Sequence, residues 1–179
     1  MPDATVIGLA KGVTALIQTA IDDPSEPLGA GLTFDLKRVA FLKQWVLDDD
    51  DGTIRIRVAT HGTEGHNEEG RLYYGVNYVI PVAILRKLTT TEMDGESIDG
   101  EDAELLAVSD QITELVEILT QRFALRDNWH PASNGVRFVR WTHQDKSNPQ
   151  GLIFNPAGLK ERRQYEATIF LHYSAEFAA

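Results

Sequence analysis

Residues 61–70, HGTEGHNEEG, place two histidines and three glutamates within ten positions. Imidazole nitrogens and carboxylate oxygens are ligands that zinc takes from proteins, and an ion held by three of them with one position open activates water for hydrolysis. His61, Glu64, His66, Glu68 and Glu69 therefore define one candidate site, that of a small metal-dependent hydrolase. The spacing argues against it. His61 and His66 are five residues apart, whereas two ligands on one helical face need three or four, and on a strand an odd spacing sends them to opposite faces. Gly62, Gly65 and Gly70 also oppose a helix here. The simpler reading makes the stretch the solvated tip of a long hairpin, whose use is contact with another protein. No metal and no cofactor is expected, and no residue is assigned a catalytic role.

Other candidate chemistry is weaker still. Aspartates 48–51 followed by Gly52 lack the alternating spacing and distal glutamate of a calcium loop, and they fit a tight turn before a strand. Neither a G-x-S-x-G elbow, nor a P-loop, nor a strand-linked G-x-G-x-x-G occurs. His172 has no neighbour in sequence that would mark it as a general base. Trp45, Trp129 and Trp141 suit a core or an interface better than a ligand cage.

Composition narrows the classes further. A chain of 179 residues with 42% hydrophobic and 25% charged residues fits one globular domain, residues 1–179, and excludes a fibrous or wholly disordered chain. The absence of cysteine removes disulfides, thiolate nucleophiles and sulfur-ligated metals. A formal net charge of −10 repels nucleic-acid phosphate, so sequence-specific nucleic-acid binding is not expected. No window has the run of apolar residues that a membrane span requires, and the first residues do not read as a signal peptide, so neither a membrane partner nor secretion is expected.

The elements that must hold these groups follow from periodicity. Val6, Leu9, Ala10, Val13, Ile17 and Ala20 recur at helical spacing over 3–21, and Pro24 and Pro27 end the helix. Ala4, Gly8, Gly12 and Ala15 line its flank with small residues that allow close approach of another backbone. RVAFLKQWVL and TIRIRVAT, either side of DDDDG, read as a hairpin. Ile54, Ile56 and Val58 alternate with Arg55 and Arg57, which sends the arginines to a face that is solvated or used for contact. RLYYGVNYVIPVAILRKL continues the sheet, with Pro81 marking an edge or a bulge. After the polar stretch 89–104, Leu105, Val108, Ile112, Leu115, Val116, Leu119 and Phe123 form the apolar stripe of a second helix, acidic at its start and basic near its end. VRFVRWTHQ reads as a strand, 144–160 as an irregular insertion, and RRQYEATIFLHYSAEF as a last strand. The expected fold is α+β: a mostly antiparallel sheet of about five strands in the order α-β-β-β-α-β-β, with both helices on one face and no internal repeat.

Three stretches, RLYYGVNYVIPVAILRKL, EDAELLAVSDQITELVEILTQRF and RRQYEATIFLHYSAEF, together with this order of elements, resemble the tail-terminator and tail-completion proteins of long-tailed bacteriophages. The resemblance spans nearly the whole chain, although 144–160 and the acidic tip at 48–51 have no counterpart in it. It implies a non-enzymatic, head–tail joining protein that forms a ring, commonly a hexamer, at the end of the tail tube. The implied partners are other copies of the chain, the tail tube and head-connector proteins. The implied place is the virion tail, or the host cytoplasm during assembly. On that reading the interaction residues are His61, Glu64, His66, Glu68, Glu69, Arg55 and Arg57. Two alternatives remain beside it, the metal-dependent hydrolase at 61–69 and a monomeric α+β binding module.

Overall fold

The computed structural model describes residues 5–23, 28, 31–42, 47, 51–60, 68–69, 73–89, 92, 103–124, 138–141, 152–154 and 163–178. Its elements follow one another as α1 (Thr5–Ile21), β1 (Phe34–Val39), β2 (Ile54–Ala59), β3 (Glu68–Glu69), β4 (Tyr73–Lys87), α2 (Ala103–Ala124), β5 (Phe138–Trp141), β6 (Leu152–Phe154) and β7 (Gln164–Ala178). This is an α+β arrangement with two helices and one mixed sheet among the described residues. The body of the sheet runs β1-β2-β4-β7, with β1 parallel to β2 and the other neighbours antiparallel. Short β3 pairs with β4, and short β5 and β6 pair with β7.

The helices form where apolar residues recur every three or four positions, and they meet one face of the sheet. Leu9, Ala10, Val13, Ile17 and Ala20 of α1 and Ile112, Leu115, Val116, Leu119 and Phe123 of α2 are all buried in one core. The sheet contributes alternate residues: Ile54, Ile56 and Val58 of β2, Ile80, Val82 and Ile84 of β4, and Tyr165, Ala167, Ile169, Leu171 and Tyr173 of β7. Register lines these up across strands, Ile56 opposite Ile84 and Ile84 opposite Ala167. Each buried Ile or Leu contributes roughly 1.5–3 kcal/mol through removal from water, so this face holds most of the folding energy.

The β4–β7 pair is the axis of the fold. Both strands have 15 residues, and they pair without interruption from Tyr73↔Ala178 to Lys87↔Gln164. On its other side β4 takes β2 along its C-terminal half and β3 near its N-terminus. On its other side β7 takes β5 toward its C-terminus and β6 toward its N-terminus. About the central pair Ile80↔Leu171, β2 beside residues 82–85 of β4 thus corresponds to β5 beside residues 173–176 of β7.

Three expectations need correction and a fourth is narrowed. RVAFLKQWVL and TIRIRVAT do not make a hairpin: the strand is Phe34–Val39, FDLKRV, and it runs parallel to β2. Parallel neighbours cannot be joined by a tight turn, so 40–53 is a crossover and the turn at Asp51 and Gly52 only introduces β2. Pro81 marks no bulge in the β4–β7 ladder but stands where the pairing of β4 with β2 has ended. It lies inside β4 in unbroken register with Phe170, one residue past the last β2 pair, Val58↔Val82, where no β2 partner needs its missing donor. The insertion at 144–160 is not wholly irregular, since Leu152–Phe154 is β6. The face bearing Arg55 and Arg57 is not solvated either: the burial pattern of β2 has one half-buried position, Arg55, and five buried ones. On that second face Arg57, Val79, Ala83, Leu85 and Gln164 are buried as well.

Candidate functional site

The charged side chains of the second face are held by one another. Arg57 donates to the Asp35 carboxylate at 2.6 Å and also to the Asp35 main-chain carbonyl. Lys37 stands 3.1 Å from the same carboxylate. Burial pushes the Asp35 carboxyl up, but the Arg57 hydrogen bond, with Lys37 beside it, outweighs this and holds its pKa below the ordinary value. One residue before Arg57, on the other face, Ile56 enters the core, so the strand alternation that buries Ile56 also aims Arg57 at β1. Arg55 pairs with Asp51 at 3.2 Å. Asp51 in turn accepts the Thr53 amide, which with Arg55 lowers its pKa.

A second polar cluster closes the end of β4. Arg86 donates through Nε to the Gly52 carbonyl and through Nη2 to Glu92, at 3.1 and 2.7 Å, and its buried Nη1 has no hydrogen-bond partner. Glu92 and Thr89 exchange bonds, the Thr89 amide donating to the Glu92 carboxylate and the Glu92 amide to the Thr89 hydroxyl. Gly52 has φ +69°, a left-handed conformation that lets its carbonyl face Arg86. Both clusters tie β1, β2 and β4 together, and neither sets a nucleophile beside a base.

Inside the core, Thr113 of α2 donates to the Ser109 carbonyl at 2.8 Å, so the Tyr165 hydroxyl, 3.2 Å away, must donate to the Thr113 oxygen. Burial, opposed by the Thr113 bond and helped by nearby Glu117, raises the Tyr165 pKa, and burial alone raises that of Tyr173. The Tyr165–Thr113 bond ties α2 to β7. A surface depression of about 530 Å³ is lined by Ala15, Gln18, Thr19, Asp22 and Asp23. All five belong to the end of α1 and the residues after it.

What the surface does offer is two poles. β1 is the edge strand of the sheet among the described residues. Lys37 and Arg38 are exposed on it, and Phe41 just beyond is 61% exposed. On α2, the helix associated with the other end of the sheet, Asp110, Glu114 and Glu117 are exposed on the side away from the core, in line with Leu106, 48% exposed. Phe41 and Leu106 are the exposed large hydrophobic residues among those described.

His61, Glu64 and His66 lie outside the described residues. Glu68 and Glu69 form β3, their backbones paired with Gly75 and Tyr74. Arg55 and Arg57 have side chains only 12% and 8% exposed and are engaged within the chain. Among the described residues no three His, Asp or Glu side chains gather as a metal-ligand set, and no helix is long and apolar enough to cross a membrane. Lys37, Arg38 and Phe41 are not among the candidates that the sequence offered. For Lys37 and Arg38 the signal lies in FDLKRV, where two adjacent charges interrupt an otherwise apolar alternation. Compared with protein-family models and with curated proteins, the chain matches none.

Proposed function

We propose that this chain is a non-enzymatic assembly protein of a phage or prophage tail, forming a ring at the end of the tail tube by contacts between copies and with tube and head-connector proteins. The observation that supports the reading best is the edge of the sheet at β1, open among the described residues, with Phe41 standing 61% exposed beside it. An unpaired edge strand next to an exposed aromatic is a surface that another chain completes. Two further features agree with it. The Asp35–Arg57 pair fastens that edge strand to β2. A net charge of −10 also suits the wall of a channel through which DNA slides without adhering.

The test is the mass and shape of the purified full chain. Sedimentation velocity over a rising concentration series is expected to give a closed species at a whole-number multiple of 19.9 kDa, a ring by negative-stain electron microscopy. A single 19.9 kDa species at every concentration overturns the reading.

A further inference from the structure

The two exposed large hydrophobic residues lie at separate places on the fold, and the charges around them are opposite. Phe41 follows the edge strand β1, where Lys37 and Arg38 are exposed. Asp35 supplies one negative charge against Lys37 and the buried Arg57, and Arg38 has no ion-pair partner among the described residues, so the β1 pole is basic on a chain of net charge −10. Leu106 begins a line on α2 that continues through Asp110, Glu114 and Glu117, all exposed and none in an ion pair with a described residue. The core stripe of the same helix, Ile112, Leu115, Val116, Leu119 and Phe123, points the opposite way.

From this complementarity we propose that the basic β1 edge of one copy docks on the acidic outer face of α2 of the next. Phe41 and Leu106 lie in the apolar centre of the contact, with Lys37 and Arg38 set against Asp110, Glu114 and Glu117. The occupant of the edge is a second copy of this chain. Each copy carries both surfaces, and they are different surfaces, so the contact is head-to-tail, the kind that builds a ring when its rotation closes. The inference rests on the ring reading above and specifies which surfaces make it. Opposed charge sets the register and the encounter rate, while burial of the two apolar residues supplies the attraction. Association should therefore weaken as salt rises.

The experiment uses two charge-reversed full-length proteins. One carries Lys37→Glu with Arg38→Glu; the other carries Asp110→Lys with Glu114→Lys. Alone, each sets like charges across the contact and is expected to self-associate at least about tenfold more weakly than the parent. Mixed in equal amounts, each edge again faces a helix of opposite sign, and alternating assemblies are expected to re-form. Recovery on mixing also shows that both variants are folded. If the parent assembles and neither reversal weakens it, this contact is overturned while the ring reading stands. If the parent never assembles, both fall. Should a urea midpoint show that a reversed variant has lost its fold, Phe41→Ser and Leu106→Ser replace the pair. Undiminished association in both of those variants overturns the contact.

Discussion

The main-chain amide of Leu47 donates to the side-chain oxygen of Gln164 at 2.9 Å, across 117 residues of sequence and out of reach of solvent. The Gln164 amide nitrogen donates in turn to Glu166 at 2.7 Å, so both ends of that side chain are engaged. Through this one residue the crossover between β1 and β2 is fastened to the start of β7. Gln164→Ala leaves a buried backbone donor without a partner and is expected to lower stability by about 1–3 kcal/mol. Urea unfolding checks it, and an unchanged midpoint would show that the crossover is held by something else.

Acid should loosen the β1 edge. The Asp35 carboxyl is held below its ordinary pKa in the folded protein, so it contributes stability above the unfolded value of about 3.9 and loses it as pH falls through the lower, folded value. Stability is therefore expected to drop with pH from near 4 downward. Asp35→Asn should lower stability at neutral pH and flatten that part of the profile, as read by thermal unfolding at a series of pH values. A profile parallel to the parent's would mean that the Arg57 pair adds nothing.

At the alkaline end the sign reverses. Burial raises the Tyr173 pKa above the ordinary value of 10, so the neutral phenol favours the folded state. Its contribution is complete below the unfolded pKa and declines as pH rises past it toward the folded value. Cooperative unfolding, followed by tyrosinate absorbance, is expected to begin above pH of about 10. Tyr173→Phe should move that onset upward.

Gly52→Ala tests the turn that introduces β2. A β-carbon there would meet Arg86 Nη2 at 3.5 Å and Thr89 at 3.8 Å, which is ordinary contact, so the whole penalty comes from φ +69°. A loss of about 1–2 kcal/mol is expected from the backbone alone. A much larger loss in calorimetry would mean that the Gly52–Arg86 bond breaks as well.

Metal analysis bears on the loop at 61–70. Protein purified without chelator or nickel resin is expected to carry less than about a tenth of an equivalent of any transition metal. A full equivalent that disappears with His61→Ala and His66→Ala would restore the hydrolase alternative.

The parts of the fold that were legible in the sequence are those with one buried and one exposed side. The stripe Ile112, Leu115, Val116, Leu119 and Phe123 of α2 and the alternation Tyr165, Ala167, Ile169, Leu171 and Tyr173 of β7 are buried as their periods require. The parallel pairing of β1 with β2 was not legible. Asp51 and Gly52 do form a turn, with the Thr53 amide on the Asp51 side chain, but a turn signal fixes local backbone and says nothing about which strand lies alongside. Arg55 and Arg57 misled for a related reason: charge at alternate positions looks like a wet face, and the partners Asp51 and Asp35 that permit burial come from the turn and from another strand. As for the surface poles, Lys37 and Arg38 resemble any solvated pair until the sheet order makes β1 an edge.

The long ladder also governs how such a chain comes to be made. Its partners are 77 to 105 positions apart, Lys87 with Gln164 and Tyr73 with Ala178, the span of a slow-folding topology in which loop closure precedes any reward. On the ribosome, β4 emerges long before β7 exists to cover it. Until residues 164–178 are synthesised, a 15-residue strand rich in valine and isoleucine waits half-paired, and yield on expression should respond to chaperones and temperature far more than the finished protein's stability suggests.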